Sequence, residues 1–298
     1  MYKAISANKR NTVIIMAVFL AIIGGLGFLA SFLAGGDITP AIIIISVVLF
    51  YTIIQYFIAG RIAVAVNGGH EIQKKDAPEL YRIVENLAIT TGLPMPRVFI
   101  IQDPAPNAFA TGRNPEHAMV AVTTGLLEIM DKRELEAVLA HEISHIKNYD
   151  IRVNMITFGL VSAIALIADF LLRASLFGGR GRNSDDDNSN AGVYLLLIGI
   201  AAYIIAVIVA PLIQLAVGRQ REYLADASGA LTTRDPEGLA MALEKLKTAG
   251  RPMQRQNSST AHLFFANPMK AGFWSKLFST HPPLDDRIAR LMKNIDKM

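Results

Sequence analysis

The chain is 298 residues long, 52% apolar and 18% charged, with a mean hydropathy of +0.36 and no cysteine. Those values exclude a disordered chain, a coiled-coil rod, a disulfide scaffold and any thiolate metal site, so a transition metal must be held by His, Asp or Glu. The net charge of +4, in a chain this apolar, is read as membrane topology and not as a nucleic-acid footprint.

Residues 12–34 form an apolar run long enough to cross a ~30 Å hydrocarbon core and too long for the ~7–15-residue core of a signal peptide. A second span covers 41–59, and Gly24, Gly25 and Gly27 predict close packing within this first hairpin. The soluble piece 60–152 follows. Asp76-Ala77-Pro78-Glu79 predicts a helix start, Leu80, Ile83, Val84 and Leu87 repeat at helical spacing, and Gly92 marks the stop. Strands are expected over 98–101 and 119–122, with a turn at Asn114-Pro115, and a second helix over 132–148. The third span, 155–177, carries Asp169 and Arg173, which pair with each other or face a wet cavity. Residues 178–191 read as a solvated connector, and 193–217 as the fourth span. In the last piece, 219–298, Asp235-Pro236 opens a helix that Gly250 closes, and 251–270 reads as a mobile polar loop. The final helix follows His281-Pro282-Pro283 and is expected to bury Leu284, Ile288, Leu291 and Ile295.

The expected architecture is therefore an α+β membrane protein. Four transmembrane helices form two hairpins, 1–59 and 153–218, and the soluble pieces 60–152 and 219–298 make one domain. Of 29 Lys and Arg, only Arg173, Arg180 and Arg182 fall in or beyond the spans on the far side, leaving 26 on the side that holds the N-terminus and both soluble pieces. Positive residues stay cytoplasmic, so both pieces are expected to face the cytosol.

The strongest chemical signal is His141-Glu142-Ile143-Ser144-His145. Residues four apart lie on one helix face, so both imidazoles can converge on one metal. Glu142 projects about a quarter-turn away, where it could take a proton from water that the metal activates, as in H-E-x-x-H zinc peptidases. Two helix histidines that merely pack are the bland alternative, set against an uninterrupted helical pattern through 133–148. A catalytic zinc needs a third protein ligand. Glu222 is the best candidate, on a helix continuing from the fourth span. Asp226, one turn on, could accept the outer N–H of a ligand histidine. Both could equally be a solvated helix face. His70, His117 and His262 lack partners at ligand spacing. A membrane metal carrier would need ligands inside the spans, which hold no His and one carboxylate, Asp169. A catalytically silent membrane scaffold is the third reading and predicts no cleavage of unfolded protein.

Taken with Asn107-Ala108-Phe109-Ala110-Thr111-Gly112 and Ser279-Thr280-His281-Pro282-Pro283, these motifs resemble the HtpX family of integral-membrane zinc proteases over nearly the whole chain. The related CAAX prenyl endoproteases share the zinc motifs but carry more spans. The resemblance implies a zincin-like catalytic domain, mainly helical with a small β-sheet, and one zinc per chain. It implies a multi-pass protein of the bacterial inner membrane with a cytosolic active site. It also implies a role in quality control, cutting misfolded membrane and unfolded proteins. In that frame Asn107, Ala108, Phe109 and Ala110 look like an edge strand that offers backbone to an extended peptide, or an ordinary hairpin strand. His281 would donate to the oxyanion, or merely cap the last helix. Arg287 would pair with Asp226 or Asp150. The third span starts within ten residues of His145 and the fourth ends just before Glu222, so the zinc is expected close above the cytosolic membrane surface. Deleting 153–218 should then abolish zinc binding, whereas losing the first two spans should leave the metal site largely formed. The loop 251–270 is expected to be open to self-cleavage.

Overall fold

A computed structural model describes residues 2–33, 36–177, 191–255, 260, 263–266 and 282–293. The chain divides into two compact units, one of residues 1–9, 58–155 and 214–298, the other of 10–57 and 156–213. The protein is mostly helical with a small mixed sheet.

The second unit is built from long helices: α1 (Tyr2–Leu33), α2 (Thr39–Val66), α6 (Asp150–Phe177) and α7 (Ala191–Thr233), each of which runs on into the first unit. Among the described residues, Ser6–Leu29 and Ala41–Val66 are long and apolar enough to cross a membrane. Both leave large apolar side chains uncovered, including Val13, Phe28, Phe50 and Phe57, as a lipid-facing surface does. Of the three glycines expected to tighten the first hairpin, only Gly27 lies against the partner helix, at Ala41. Gly24 and Gly25 face open space. Asp169 and Arg173 pair with each other at 2.7 Å, both exposed.

The first unit carries a four-stranded sheet in the order β1-β2-β4-β3. The strands are β1 (Gly69–Glu71), β2 (Arg97–Ile101), β3 (Ala108–Thr111) and β4 (Met119–Thr123). β2 and β4 run parallel with Val98 opposite Val120, while β1 and β3 are antiparallel to their neighbours. The Asn114-Pro115 turn becomes a single 3₁₀ turn, Pro115–His117, between β3 and β4. Two short elements escape periodicity because they span less than two full helical or pleat repeats. One is β1. The other is α4 (Thr124–Ile129), whose start is capped by Thr123 Oγ1 accepting from Leu126 N–H.

α3 (Pro78–Thr91) buries Leu80, Ile83, Val84 and Leu87 and ends at Gly92, at φ 71°, a left-handed residue that glycine adopts without steric penalty. α5 (Lys132–Lys147) starts at a capping box between Asp131 and Glu134. It packs on α3, on β3 and on α8 (Pro236–Ala249), and α8 packs on α9 (Leu284–Lys293). Leu139, Ile143, Val120, Val122, Leu126, Leu239 and Leu243 form one core around α5. Arg287 and Leu291 of α9 are buried, Leu284 and Ile288 are half-buried against that core, and Ile295 lies outside the described residues.

The polar stretch 251–270 differs from its expectation. Met253, Thr260, Leu263, Phe264 and Phe265 are all buried. Three consecutive apolar residues are enough to tie this segment to the core, although Gln, Asn and Ser around them mask the signal. Arg251, Pro252, Gln254 and Arg255 are exposed, and the self-cleavage expectation for the rest of the stretch falls on 256–259, 261–262 and 267–270, which lie outside the described residues, as do 178–190 and His262.

Candidate metal centre

α5 presents His141 and His145 on one face, with their Nε2 atoms 3.1 Å apart. α7 brings in Glu222, whose oxygens lie 3.7 Å from His141 Nε2 and 3.4 Å from His145 Nε2. Tetrahedral ligands at about 2.0–2.1 Å from a zinc ion are separated by roughly 3.3–3.4 Å. The carboxylate straddles the pair, with Oε2 towards His141 and Oε1 towards His145, and one ligand atom from each of the three residues lies within 4.8 Å of the others, close enough to be drawn onto one ion.

The outer nitrogens explain why the inner ones converge. His141 Nδ1 lies 3.0 Å from Asp226 Oδ1, and His145 Nδ1 lies 2.9 Å from Asp150 Oδ2. Each Nδ1–H donates to its carboxylate, which leaves a lone pair on each Nε2. Two lone pairs at 3.1 Å repel unless a cation lies between them. This chemistry fits a metal ion, held by His141, His145 and Glu222.

Electrostatics sort the two histidines. Burial pushes the His141 pKa down to about 4, against the pull of Asp226, so it stays neutral. Burial opposes charge on His145 too, but the Asp150 hydrogen bond and the carboxylates of Glu222, Asp150 and Glu142 outweigh it and push its pKa up to about 9. Without metal, a proton on His145 does the cation's work. Glu142 is 2% exposed, and burial raises its pKa to about 7, despite the His145 charge and an N–H donated by Ala110.

Both supporting carboxylates are themselves held. Arg287, fully buried, is bidentate on Asp226, with Nε at 2.9 Å and Nη2 at 2.6 Å, and its guanidinium lies over the Phe265 ring. Asp150 opens α6 just after Tyr149, whose φ of 61° is a left-handed turn without glycine. That reversal returns the Asp150 carboxylate to His145. Its other oxygen accepts from Asn8 at 2.7 Å and lies 3.8 Å from Arg221.

Residue by residue, the expected site is partly assembled. His141, His145, Glu142, Glu222, Asp226 and Arg287 come together. β3, with Ala108, Phe109 and Ala110, is an edge strand of the described sheet beside α5, and Ala110 N–H reaches Glu142. The outer edge is not wholly open: Phe265 N–H donates to Ala108 O at 2.8 Å. The Asn107 carboxamide is spent on Ala266, donating to its oxygen at 2.8 Å and accepting its N–H at 3.0 Å. The Phe109 ring is buried against Phe264. His281 lies outside the described residues. His70 and His117 are exposed and away from the cluster.

Sequence reasoning missed Asn8, Phe265, which packs edge-on to His141, and Gly229, and it weighed Asp150 only as a partner for Arg287, not as the group that holds His145. Gly229 was findable. It continues the i, i+4, i+7 stripe of Glu222 and Asp226 on α7. A Cβ there would meet the His141 backbone at 3.0–3.1 Å. Gly229→Ala is therefore expected to wedge α7 from α5, costing about 1–3 kcal/mol and weakening metal retention. Unfolding midpoints and metal analysis of the purified variant check it, and an alanine tolerated on both counts would refute the close contact.

A His-Glu-x-x-His helix completed by a glutamate from a second helix defines the class of metallopeptidases. The chain belongs to peptidase family M48, whose pattern it matches over residues 74–295. It is 53% identical over 291 residues to the protein named Protease HtpX homolog of Tropheryma whipplei (strain Twist), covering 98% of this chain and 97% of that one. It is 45% identical over 293 residues to the Protease HtpX homolog of Ligilactobacillus salivarius (strain UCC118), covering 98% and 99%. The crystal structure of S. mikatae Ste24p shares the fold, with a TM-score of 0.54 at 20% identity over 98% of this chain and 67% of that one. The protein is a membrane metalloprotease.

Proposed function

We propose that the chain is a zinc-dependent endopeptidase that cuts misfolded or damaged membrane proteins and unfolded soluble proteins. The observation that carries the reading is the convergence of two imidazole lone pairs and the Glu222 carboxylate, each histidine backed by a buried carboxylate. His141, His145 and Glu222 hold one zinc per chain. When bound, zinc acidifies water and polarises the scissile carbonyl. Glu142 takes the proton of the attacking water and passes it to the leaving amine. Asp226 and Asp150 keep the Nδ1 protons in place, so neither imidazole can turn or change tautomer. The edge of β3 at Ala110 pairs with an extended peptide, which gives affinity with little sequence preference. Asn107 and Phe109 hold that strand and the segment across it. His281 completes the reading as the donor to the oxyanion.

The chain is further proposed to be multi-pass in the bacterial plasma membrane, with α6 and α7 supplying the third and fourth spans. The pieces 60–152 and 219–298 then form the catalytic domain on the cytosolic face. Support comes from the basic residues gathered at span ends and from the exposed apolar faces of α1 and α2.

The test uses the full chain in detergent. Metal analysis should give one zinc per chain, and that preparation should cut casein. With the His145 pKa pushed up to about 9 and that of Glu142 to about 7 in the metal-free protein, zinc uptake at pH 7 should release at least one proton, the larger share from His145. Affinity should rise about tenfold per pH unit from 7 towards 9, then level off. His141, neutral above about 4, adds no proton. Calorimetry in buffers of different ionisation enthalpy reads this directly. Uptake without proton release, or zinc-loaded protein that leaves casein intact, would reject the assignment.

A further inference from the structure

The first helix reaches into the metal centre. Asn8, on α1, is 4% exposed and belongs to the same compact unit as α5. Its carboxamide nitrogen donates one hydrogen to Asn148 O at 2.8 Å and the other to Asp150 Oδ1 at 2.7 Å. Both partners are acceptors, so the orientation of this amide is fixed by the chemistry. Asn148 caps the C-terminal end of α5, where a carbonyl lacks a helical partner. Asp150 is the first residue of α6, and its second carboxylate oxygen faces His145 Nδ1. Asn8 thus joins the two sides of the corner at Tyr149, whose left-handed backbone is otherwise unfavourable for a bulky residue.

We propose that Asn8 is a positioning residue for the metal centre, fixing the Asp150 carboxylate that orients His145. The proposal rests on the reading of His145 as a metal ligand. The remaining groups around Asp150 are poor substitutes. Arg221 Nη1 is 3.8 Å from the oxygen that Asn8 serves and 3.4 Å from the backbone oxygen, and Arg221 Nη2 is bonded to Asn154 at 2.9 Å. Without Asn8, one oxygen of a fully buried carboxylate loses its short donor. The carboxylate is then free to rotate, and the imidazole with it. Partners at this remove from a metal typically change affinity 10–100-fold. On this proposal, a deletion that takes the N-terminal residues together with the first two spans should weaken the metal site, because Asn8 goes with them, whereas losing the spans alone leaves Asn8 in the chain.

The experiment measures zinc affinity of full-length variants by competition with a chelator, alongside melting of the metal-free protein. Asn8→Leu, close in volume and unable to donate, is expected to weaken zinc binding 10–100-fold with the metal-free melting temperature within a few degrees of wild type. Asn8→Ala should do the same and serves if the leucine does not fold. In an Asp150→Ala background, neither substitution should weaken zinc further, because the route through Asp150 is already gone. Thr12→Val, one turn along α1 at a buried hydroxyl without a partner among the described residues, should bind zinc like wild type. Affinity within twofold of wild type in both Asn8 variants overturns the proposal. So does a loss that persists in the Asp150→Ala background, or an equal loss from Thr12→Val. A wild-type chain that takes up no zinc at all overturns the ligand reading itself and this inference with it, which separates the two failures.

Discussion

Glu142→Gln is expected to lower kcat/KM about 10²–10⁴-fold while zinc stays at one per chain, since a positioned general base contributes about that much. Glutamine matches glutamate in shape and can still accept the Ala110 N–H. It cannot take up a proton at neutral pH. None of the three metal-facing atoms changes, so zinc content should not move. Stability should shift in a direction that a damaged fold would not give. The Glu142 carboxyl is raised by burial from 4.5 to about 7, so folding favours its protonated form. Its contribution to stability is full below pH 4.5, declines as pH rises from there to about 7, and is gone above that. The metal-free glutamine variant should therefore melt higher than the metal-free wild type at pH 8, with the gap closing towards pH 4. Casein cleavage at near wild-type rate would remove Glu142 from the mechanism.

The convergence of the cluster follows from two short-range facts, the i, i+4 pairing of His141 with His145 and the need of such a pair for a third oxygen or nitrogen ligand. Glu222 and Asp226 were reachable because they repeat the same spacing on one uninterrupted helix, α7. Helix starts and stops were equally local, at Pro78 and Gly92, although Asp76 accepts from Gln73 N–H and caps nothing on α3, and the Asp131–Glu134 box that starts α5 went unread. What the sequence hid is contact across long separations or through backbone that breaks a rule. Asn8 meets Asp150 across 142 residues, and no periodicity joins them. Asp150 reaches His145 only because Tyr149 adopts a conformation that sequence reasoning assigns to glycine or asparagine. Phe265 sits in a stretch whose composition reads as solvent-exposed, yet it packs on His141 and bonds to β3. The edge strand was legible as a strand. That the protein's own segment covers one end of it was not.

Arg287→Met should have the largest effect on stability, about 3–5 kcal/mol, because it strips a buried carboxylate of its counter-charge. Burial alone would raise the Asp226 pKa, but Arg287 and His141 outweigh it and hold it at about 2. Its ionised form therefore favours the folded state at every pH above about 3.8, and that contribution fades only as pH falls towards 2. In the methionine variant the order reverses. Asp226 keeps the burial penalty with only His141 beside it, so its pKa rises and protonation favours folding. The stability gap between wild type and variant should be widest at neutral pH and narrow as the solution is acidified. Zinc should be lost as well. A protonated Asp226 no longer demands a proton on His141 Nδ1, and the tautomer with hydrogen on Nε2 cannot bind metal. Arg287→Lys is expected to recover only part of both losses, since an ammonium cannot span the two carboxylate oxygens or lie flat on Phe265. Arg287→Met combined with Asp226→Asn isolates the Asp226 charge: removing that stranded carboxylate should restore much of the stability, leaving the altered packing and the lost Arg287–Glu222 pair, 3.6 Å apart in the wild type. Urea unfolding of the metal-free variants at pH 7 and pH 4 provides the measurement. If the methionine variant lies within about 0.5 kcal/mol of wild type at pH 7, Arg287 does not compensate Asp226, and the account of how His141 is held fails with it.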